Sequence, residues 1–563
     1  MHRDLNDPSV IEAELADTVW DAIVVGTGLG GATLGYALAK AGWRVLFCER
    51  GLDYLSDPRA LGSNYAEMLQ GHDGSLQDGD PGWLLGAGRY EQPLVDHSSV
   101  RVRQFLPFIG SGVGGSSALY GMAFERFARS DFESGRWHAQ VTETTLEPNW
   151  PLDYADFCGY YRTAEQLYRV RGTPDPINSA VGELGFVGSP PISSQAAEHL
   201  ATHLSKQGLH PYRLPLACEF VAGCQCCQGF LCLQRCKNDG ARIALEPALR
   251  NFGARLLNRC SVRRLNADRQ RVTSIECNRQ GQTLTLRARH VFLAAGALQT
   301  PNLLLRSASD VWPQGLANSS GMVGRNLMRH AIDLYLIQAR PADRNAHFDN
   351  RFKELAFNDF YCIDGTKLGS VQSFGRLPPG PMLFESLRQD LQAVAGACPA
   401  KMLGLFKPVM TPLLQRMVEQ SIPMASTLED LPYLDNRVLA APDDAPESVN
   451  INYRLHEDDW RRLALFRTHL RRALKGLSWR MVKQADNNQR IAHACGTCRM
   501  GHDAHTSVLD AFNRCHDLEN LYIVDSSFFP SSGGTNPGLT IAANALRVAD
   551  HLTGVSDYTQ QHG

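Results

Sequence analysis

The chain has 563 residues, more than one hydrophobic core usually supports, so two successive or interleaved domains are expected. Hydrophobic residues make up 44% and charged residues 20%, with a formal net charge of -2, a balance that suits an ordinary globular enzyme and creates no strong global field to attract nucleic acid. No stretch reaches the roughly eighteen uninterrupted apolar residues of a membrane span. The amino terminus, "MHRDLNDPSVIEAELADTVW", is polar and acidic. It does not read as a secretory signal, and a cytoplasmic chain is expected. The 15 cysteines then read as small core residues or free thiols in a reducing compartment rather than a disulfide framework.

Residues 22–50, "AIVVGTGLGGATLGYALAKAGWRVLFCER", predict a buried strand, a tight turn, an alanine-rich helix and a second strand. Gly26, Gly28 and Gly31 form G-x-G-x-x-G at the strand-to-helix turn. Backbone N–H groups there can approach a pyrophosphate, and the helix N-terminus favours the anion. Glu49 ends the second strand, where a carboxylate can accept from a ribose hydroxyl. This is a dinucleotide site, although the motif alone does not choose FAD over NAD.

A second glycine-rich segment, "GSGVGGSSALYGMAFERF", follows from Gly110, and "WPLDYADFCGYYRTAEQLYRV" from Trp150 predicts a helix. The loop "GCQCCQGFLCLQRCK" packs five cysteines between Gly223 and Lys237, with Cys218 just upstream. By itself it is open to reading as a metal cage, a staple, a redox relay or an accident of composition. Beyond it, "ARIALEPALRNFGARLL" predicts a helix, and "SVRRLNA", "VTSIECNR" and "LTLRARHVFLAAG" predict strands.

Residues 330–490 lose the glycine-turn pattern. Met402, Phe406, Val409, Leu413 and Met417 stand at helical spacing, which predicts a core or lid helix, with a membrane-surface or quinone-docking contact as the alternative. Pro408 and Pro412 argue against one regular helix. The C-terminal "ENLYIVDSSFFPSSGGTNPGLTIAANALRVADHL" returns to strand, loop and helix.

Four segments, in chain order, resemble the glucose-methanol-choline (GMC) family of flavin oxidoreductases: "GSGVGGSSALYGMAFER", "GALQTPNLLLRS" from Gly296, "HACGTCRMG" and "VDSSFFPSSGGTNPGLTIAANALRVADHL". The resemblance implies an α/β fold, with a Rossmann-like FAD-binding domain from residues 15–60, 215–330 and 490–560. An α+β substrate-binding domain from 61–214 and 331–489 is inserted, with a cofactor-contacting loop at 108–126. It implies FAD and a small alcohol as substrate, leaving oxygen, a quinone or a cytochrome open as electron acceptor. His493 stands at the catalytic histidine and Asn536 at the paired Asn or His position. Gly114, Gly115, Ser116, Val262, Asp525 and Pro537 stand at flavin or nucleotide contacts. An imidazole suits removal of a hydroxyl proton, and a carboxamide can hold the same oxygen. Tyr120 replaces the family's usual asparagine. Leu119 sits near where some members carry a flavin-linking histidine, so non-covalent FAD is implied.

Cys226, Cys227, Cys232 and Cys236 form C-C-x4-C-x3-C, which resembles the iron–sulfur segment of bacterial GMC sugar dehydrogenases, without the proline after the last cysteine. Cys224 supplies an alternate ligand, and zinc or a redox dithiol are competing readings. The other functions weighed are a flavin-containing lyase, a nicotinamide dehydrogenase and a non-catalytic cofactor-binding protein.

Overall fold

The computed structural model describes residues 18–69, 82–178, 182–341 and 352–554. The glycine-turn region folds as its pattern predicts. Strand Val19–Val25 runs into helix Leu29–Lys40 and then strand Val45–Cys48. The first strand is fully buried at Ala22, Ile23 and Val24 because it lies in the middle of a seven-stranded sheet. It pairs in parallel with Val45–Cys48 on one side and with Gln282–Leu293 on the other. Strands Arg255–Leu257 and Leu521–Ile523 extend the parallel part.

Gln282–Leu293 belongs to two arrangements at once. Its first half pairs antiparallel with Val272–Arg279, which pairs in turn with Cys260–Ala267, while its apolar second half enters the parallel sheet. The polar-to-apolar change along "QTLTLRARHVFL" is the sequence trace of that passage from exposed ribbon to buried centre. Helix Gly538–Thr553 packs along Leu29–Lys40 and also against Tyr154–Leu167.

A second, six-stranded sheet is antiparallel throughout, in the order Trp479–Val482, Ala331–Gln338, Ser421–Leu428, Gly369–Ser373, Leu355–Phe357, Tyr212–Arg213. Helix Glu457–Ala473 buries Leu463, Phe466 and Leu470 in the core with Leu428, Tyr335 and Ile337 of this sheet. Three helices, Gly380–Ala395, Ala397–Gly404 and Lys407–Glu419, form an insertion before strand Ser421–Leu428.

The core reading of the 402–417 stripe is corrected here. Met402, Phe406, Val409 and Leu413 are exposed, and only Met417 of the five is partly buried against the core beside Val418. Periodicity had located one face of a helix, but it carries no information on whether anything packs against that face. The chain also breaks between Gly404 and Lys407, with Pro408 in the first turn of the second helix and Pro412 inside it.

Candidate active site

The nucleotide cradle is formed by two glycine segments that face each other. A Cβ on Gly26 would stand 2.4 Å from the Ala294 carbonyl oxygen, and one on Gly31 would stand 2.2 Å from the Gly26 oxygen, so both must stay bare for strand and helix to close. Gly28 meets nothing within 4 Å in the Cβ direction. That open side is where a pyrophosphate could approach the backbone. Gly114 and Gly115 have φ of 82° and 51°, and the Gly114 N–H donates to the Thr27 carbonyl at 3.1 Å, which brings the 108–126 loop over the first turn. The Ser116 hydroxyl accepts from the Gly110 N–H at 3.1 Å and closes this second loop. The residues present therefore fit a dinucleotide such as FAD.

Glu49 sits beneath this cradle with 4% exposure and saturated oxygens. One oxygen accepts from the Thr27 N–H at 3.1 Å and the Thr27 hydroxyl at 2.6 Å, and the other from the N–H groups of Gly51 and Gly112 at 3.0 and 3.1 Å. It ties the two glycine loops together. Asp525 is similar: it accepts from the Gly296 N–H, the Thr300 hydroxyl and Ser527, while burial pushes its carboxyl above the ordinary range. Val262 is partly buried on the antiparallel ribbon, beside a register shift. Pro537 opens helix Gly538–Thr553 directly after Asn536. Tyr120 donates to the Asn238 carbonyl at 2.5 Å, and Leu119 is buried beside Leu231, offering no nucleophile for a flavin link.

His493 and Asn536 meet. The Asn536 side-chain nitrogen lies 3.4 Å from His493 Nε2, although 43 residues separate them. Sequence reasoning missed the partner that orients the imidazole. Met328 and Cys495 exchange backbone hydrogen bonds of 3.0 and 2.9 Å, which sets His330 beside His493 with the two Nδ1 atoms 3.0 Å apart. The backbone N–H groups of Arg329 and His330 both donate to the Asp430 carboxylate.

The partners of this pair determine the tautomers. His330 Nε2 lies 3.0 and 2.9 Å from the carbonyl oxygens of Ser532 and Gly533, which only accept, so it carries a hydrogen. Neutral His330 then has a lone pair at Nδ1. His493 must donate from its own Nδ1, which leaves its lone pair at Nε2, beside Asn536. Both histidines hold left-handed backbone, with φ of 57° and 53°. Such conformations cost of order 1–3 kcal/mol and persist only where surrounding structure enforces them.

Asn536 is oriented as well. Gln372, on the buried strand Gly369–Ser373, donates from its side-chain nitrogen to Asn536 Oδ1 at 2.6 Å, so the Asn536 amide N–H group faces His493. The turn behind it rests on a closed network. The Gly534 N–H donates to the Tyr361 hydroxyl and to Asp131, Tyr361 donates to Asp131, and the Lys367 ammonium lies 2.7 Å from both Asp131 and Glu429. Thr535 donates to Glu125, whose carboxyl burial pushes up to about 7.

One cation near His493 has no such closure. Lys353 is 9% exposed and lies against Gly121, where an added Cβ would be 2.8 Å from its Nζ. Among the described residues it makes no hydrogen bond or ion pair, and its nearest ring is Phe374. Burial lowers its ammonium to about 8. Burial, with the Lys353 ammonium adding to it, holds the His493 imidazolium well below its ordinary value. His493 is therefore neutral at physiological pH.

The cysteines of the loop are all buried, and their sulfurs group differently from the sequence spacing. Cys218 and Cys224 are 4.0 Å apart, Cys224 and Cys236 3.2 Å, and Cys232 and Cys236 3.3 Å. Cys227 adjoins Cys232, whereas Cys226, with φ of 46°, lies toward Tyr65 and Lys353. All are free thiols. A second buried group, Cys48, Cys260 and Cys277, has its sulfurs within 4.8 Å of one another. No spacing signal could have found it, since its members come from three strands.

Comparison with known proteins agrees with this geometry. Family profiles described as GMC oxidoreductase match residues 20–332 and 432–545. The chain is similar to 6'''-hydroxyparomomycin C oxidase of Streptomyces lividus, 30% identical over 98% of this chain and 94% of that protein. It is also similar to 2-methyl-1,2-propanediol dehydrogenase of Mycolicibacterium austroafricanum, 25% identical over 95% of each. Among solved structures, pyridoxine 4-oxidase from Mesorbium loti shares the fold, with a TM-score of 0.59 and 20% identity over 95% of this chain and 99% of that one. The chain belongs to the GMC oxidoreductase family and is a flavoprotein enzyme that acts on CH–OH groups.

Proposed function

We propose that the enzyme oxidises a neutral or anionic alcohol, with His493 as the base and Asn536 as the group that holds the substrate oxygen. The observation that carries this reading is the tautomer pair: a neutral imidazole with its lone pair at Nε2, next to an amide N–H group fixed by Gln372. The substrate hydroxyl gives its proton to His493 Nε2 while Asn536 donates to the same oxygen, stabilising the charge that develops there. FAD, held without a covalent link between the two glycine loops, supplies the acceptor for the carbinol hydride when bound. The alcohol leaves as a carbonyl compound, and His493 holds its proton.

Lys353 supports the restriction on charge. A relative acts on a hydroxyparomomycin, an amino sugar, and another on a neutral diol. A buried ammonium whose charge reaches the base disfavours the first class and accommodates the second, or a substrate carrying a carboxylate. Residues 15–60, 215–330 and 490–560 are proposed as the FAD-binding unit, and 61–214 with 331–489 as the substrate-binding unit. Gly114, Gly115, Ser116 and Val262 are proposed to line the cofactor. Glu49 can serve a ribose hydroxyl only by sharing an oxygen that already accepts two hydrogen bonds.

The thiol loop is proposed to hold a metal centre. An iron–sulfur cluster on Cys226, Cys227, Cys232 and Cys236, or with Cys224, would pass electrons to an outside acceptor. The loop sulfurs form a row of pairwise contacts of 3.2–4.0 Å rather than one mutually adjacent set, and a single zinc ion on these thiols is the second reading. Iron and zinc analysis of the purified protein separates the two. Anaerobic bleaching of the bound flavin against matched polyols, sugar acids and amino sugars tests the function. Bleaching by the first two classes is expected, and bleaching by amino sugars alone would overturn the charge restriction.

A further inference from the structure

Helices Ala397–Gly404 and Lys407–Glu419 carry an outward face that the site does not use. Met402 is 60% exposed, Leu405 79%, Phe406 58%, Val409 71% and Leu413 65%. The prolines at 408 and 412 are exposed beside them. Elsewhere on the described surface large exposed apolar side chains are mostly isolated, so this concentration within one helical turn-and-a-half on each side of a bend is unusual.

The charge along this segment is one-sided. From Asp390 to Glu419 the sequence contains no acidic residue between the two, but it contains Lys401, Lys407 and Arg416. Lys401 and Arg416 are exposed at opposite ends of the apolar row. The chain as a whole has a net charge of -2, so this cationic border is local. The inner side of the same insertion is firmly seated. Leu383, Met417 and Val418 pack with Leu334, Leu336 and Ala425 of the six-stranded sheet, and the Gly380 N–H donates to Gln415 at 2.7 Å. Asn487 donates to Asp390 at 3.2 Å and Arg490 to Ser386, which ties the insertion to the segment leading into His493.

We propose that this face docks the enzyme on an anionic lipid bilayer. Its apolar side chains enter the boundary between headgroups and acyl chains, while Lys401 and Arg416 meet lipid phosphates. A row of protruding apolar side chains with basic borders is the pattern of helices that lie in a membrane interface. No described helix is long and apolar enough to cross a membrane, so the attachment is peripheral. A second copy fits less well. A twofold contact through this face would bring the same cations of both copies together without an acidic partner between Asp390 and Glu419. The proposal does not depend on the roles given to His493 and Asn536.

The test is co-sedimentation of the full-length, flavin-loaded protein with vesicles of phosphatidylcholine alone or mixed with phosphatidylglycerol. Binding to the mixed vesicles, weakened by added salt, is expected. The triple variant Leu405→Glu, Phe406→Glu, Val409→Glu should lose about tenfold or more of that binding, with flavin content unchanged. The pair Lys401→Glu, Arg416→Glu should abolish the preference for mixed vesicles. Failure of the wild-type protein to bind them, or equal binding by the triple variant, overturns the proposal. So does self-association that the triple variant abolishes in the absence of any vesicle binding, since a second copy is then the occupant.

Discussion

Beneath the nucleotide cradle, Glu49 and Asp525 are buried acids whose oxygens are filled by donors of the chain itself. Across the site, among the described residues, Gln372 keeps a side-chain oxygen without a partner, Lys353 makes no ion pair, and His493 Nε2 has only the long contact to Asn536. Leaving one buried polar group unpaired costs about 1–3 kcal/mol. Folding alone therefore accounts for the first set and not for the second. In the proposed mechanism the first set holds the loops in place and the second meets the substrate. Substitutions in the two sets should consequently fail in different measurements.

Lys367 lies on the saturated side, and its replacement should give the largest loss of stability. Lys367→Met leaves Asp131 and Glu429 buried without their cation, and denaturant unfolding should show a loss of about 3–5 kcal/mol. His493 lies on the open side. His493→Ala should retain flavin and unfold normally, while anaerobic flavin reduction slows by about 10²-fold or more, measured by stopped-flow absorbance. If it instead loses flavin, the division between the two sets is broken.

Glu49→Gln sharpens the comparison from the other direction. The amide nitrogen cannot accept, so one pair of donors, from Thr27 or from Gly51 and Gly112, is left facing another donor. Thermal unfolding should show a loss of about 1–3 kcal/mol, with flavin retention reduced in parallel. The smallest expected effect belongs to Lys353. Lys353→Met removes one of the charges that disfavour the His493 imidazolium, so the acid limb of flavin reduction should move to higher pH. In the wild type, any preference for an anionic over a neutral alcohol should fade as pH rises through about 8, where Lys353 loses its charge. Paired pH profiles with the two substrate types check both expectations.

The parts legible in the sequence are those written contiguously. Gly26, Gly28 and Gly31 occupy one turn between a strand and a helix, and the steric reason for each is local. His493 and Asn536 stand inside two compact segments that resemble a known family, so each could be named without knowing what faced it. His330, Gln372 and Lys353 could not be named in that way. They come from strands and strand ends scattered between residues 330 and 373, and only the pairing of the six-stranded sheet brings them to the site. The thiol loop shows the same limit. Spacing nominated four thiols of one loop, whereas Cys218, outside that motif, stands 4.0 Å from Cys224 in the sulfur row. Likewise, the stripe from Met402 to Met417 was visible as a period, but its exposure depends on what the rest of the chain places opposite.

The most direct test is the pH dependence of anaerobic flavin reduction in the wild-type enzyme with a saturating alcohol. A base held neutral by burial and the Lys353 charge loses activity only when pH falls through its depressed value, so half of the rate should be lost well below pH 6.5. An acid limb centred at or above 6.5 would contradict a neutral, pre-oriented His493 as the group that takes the proton.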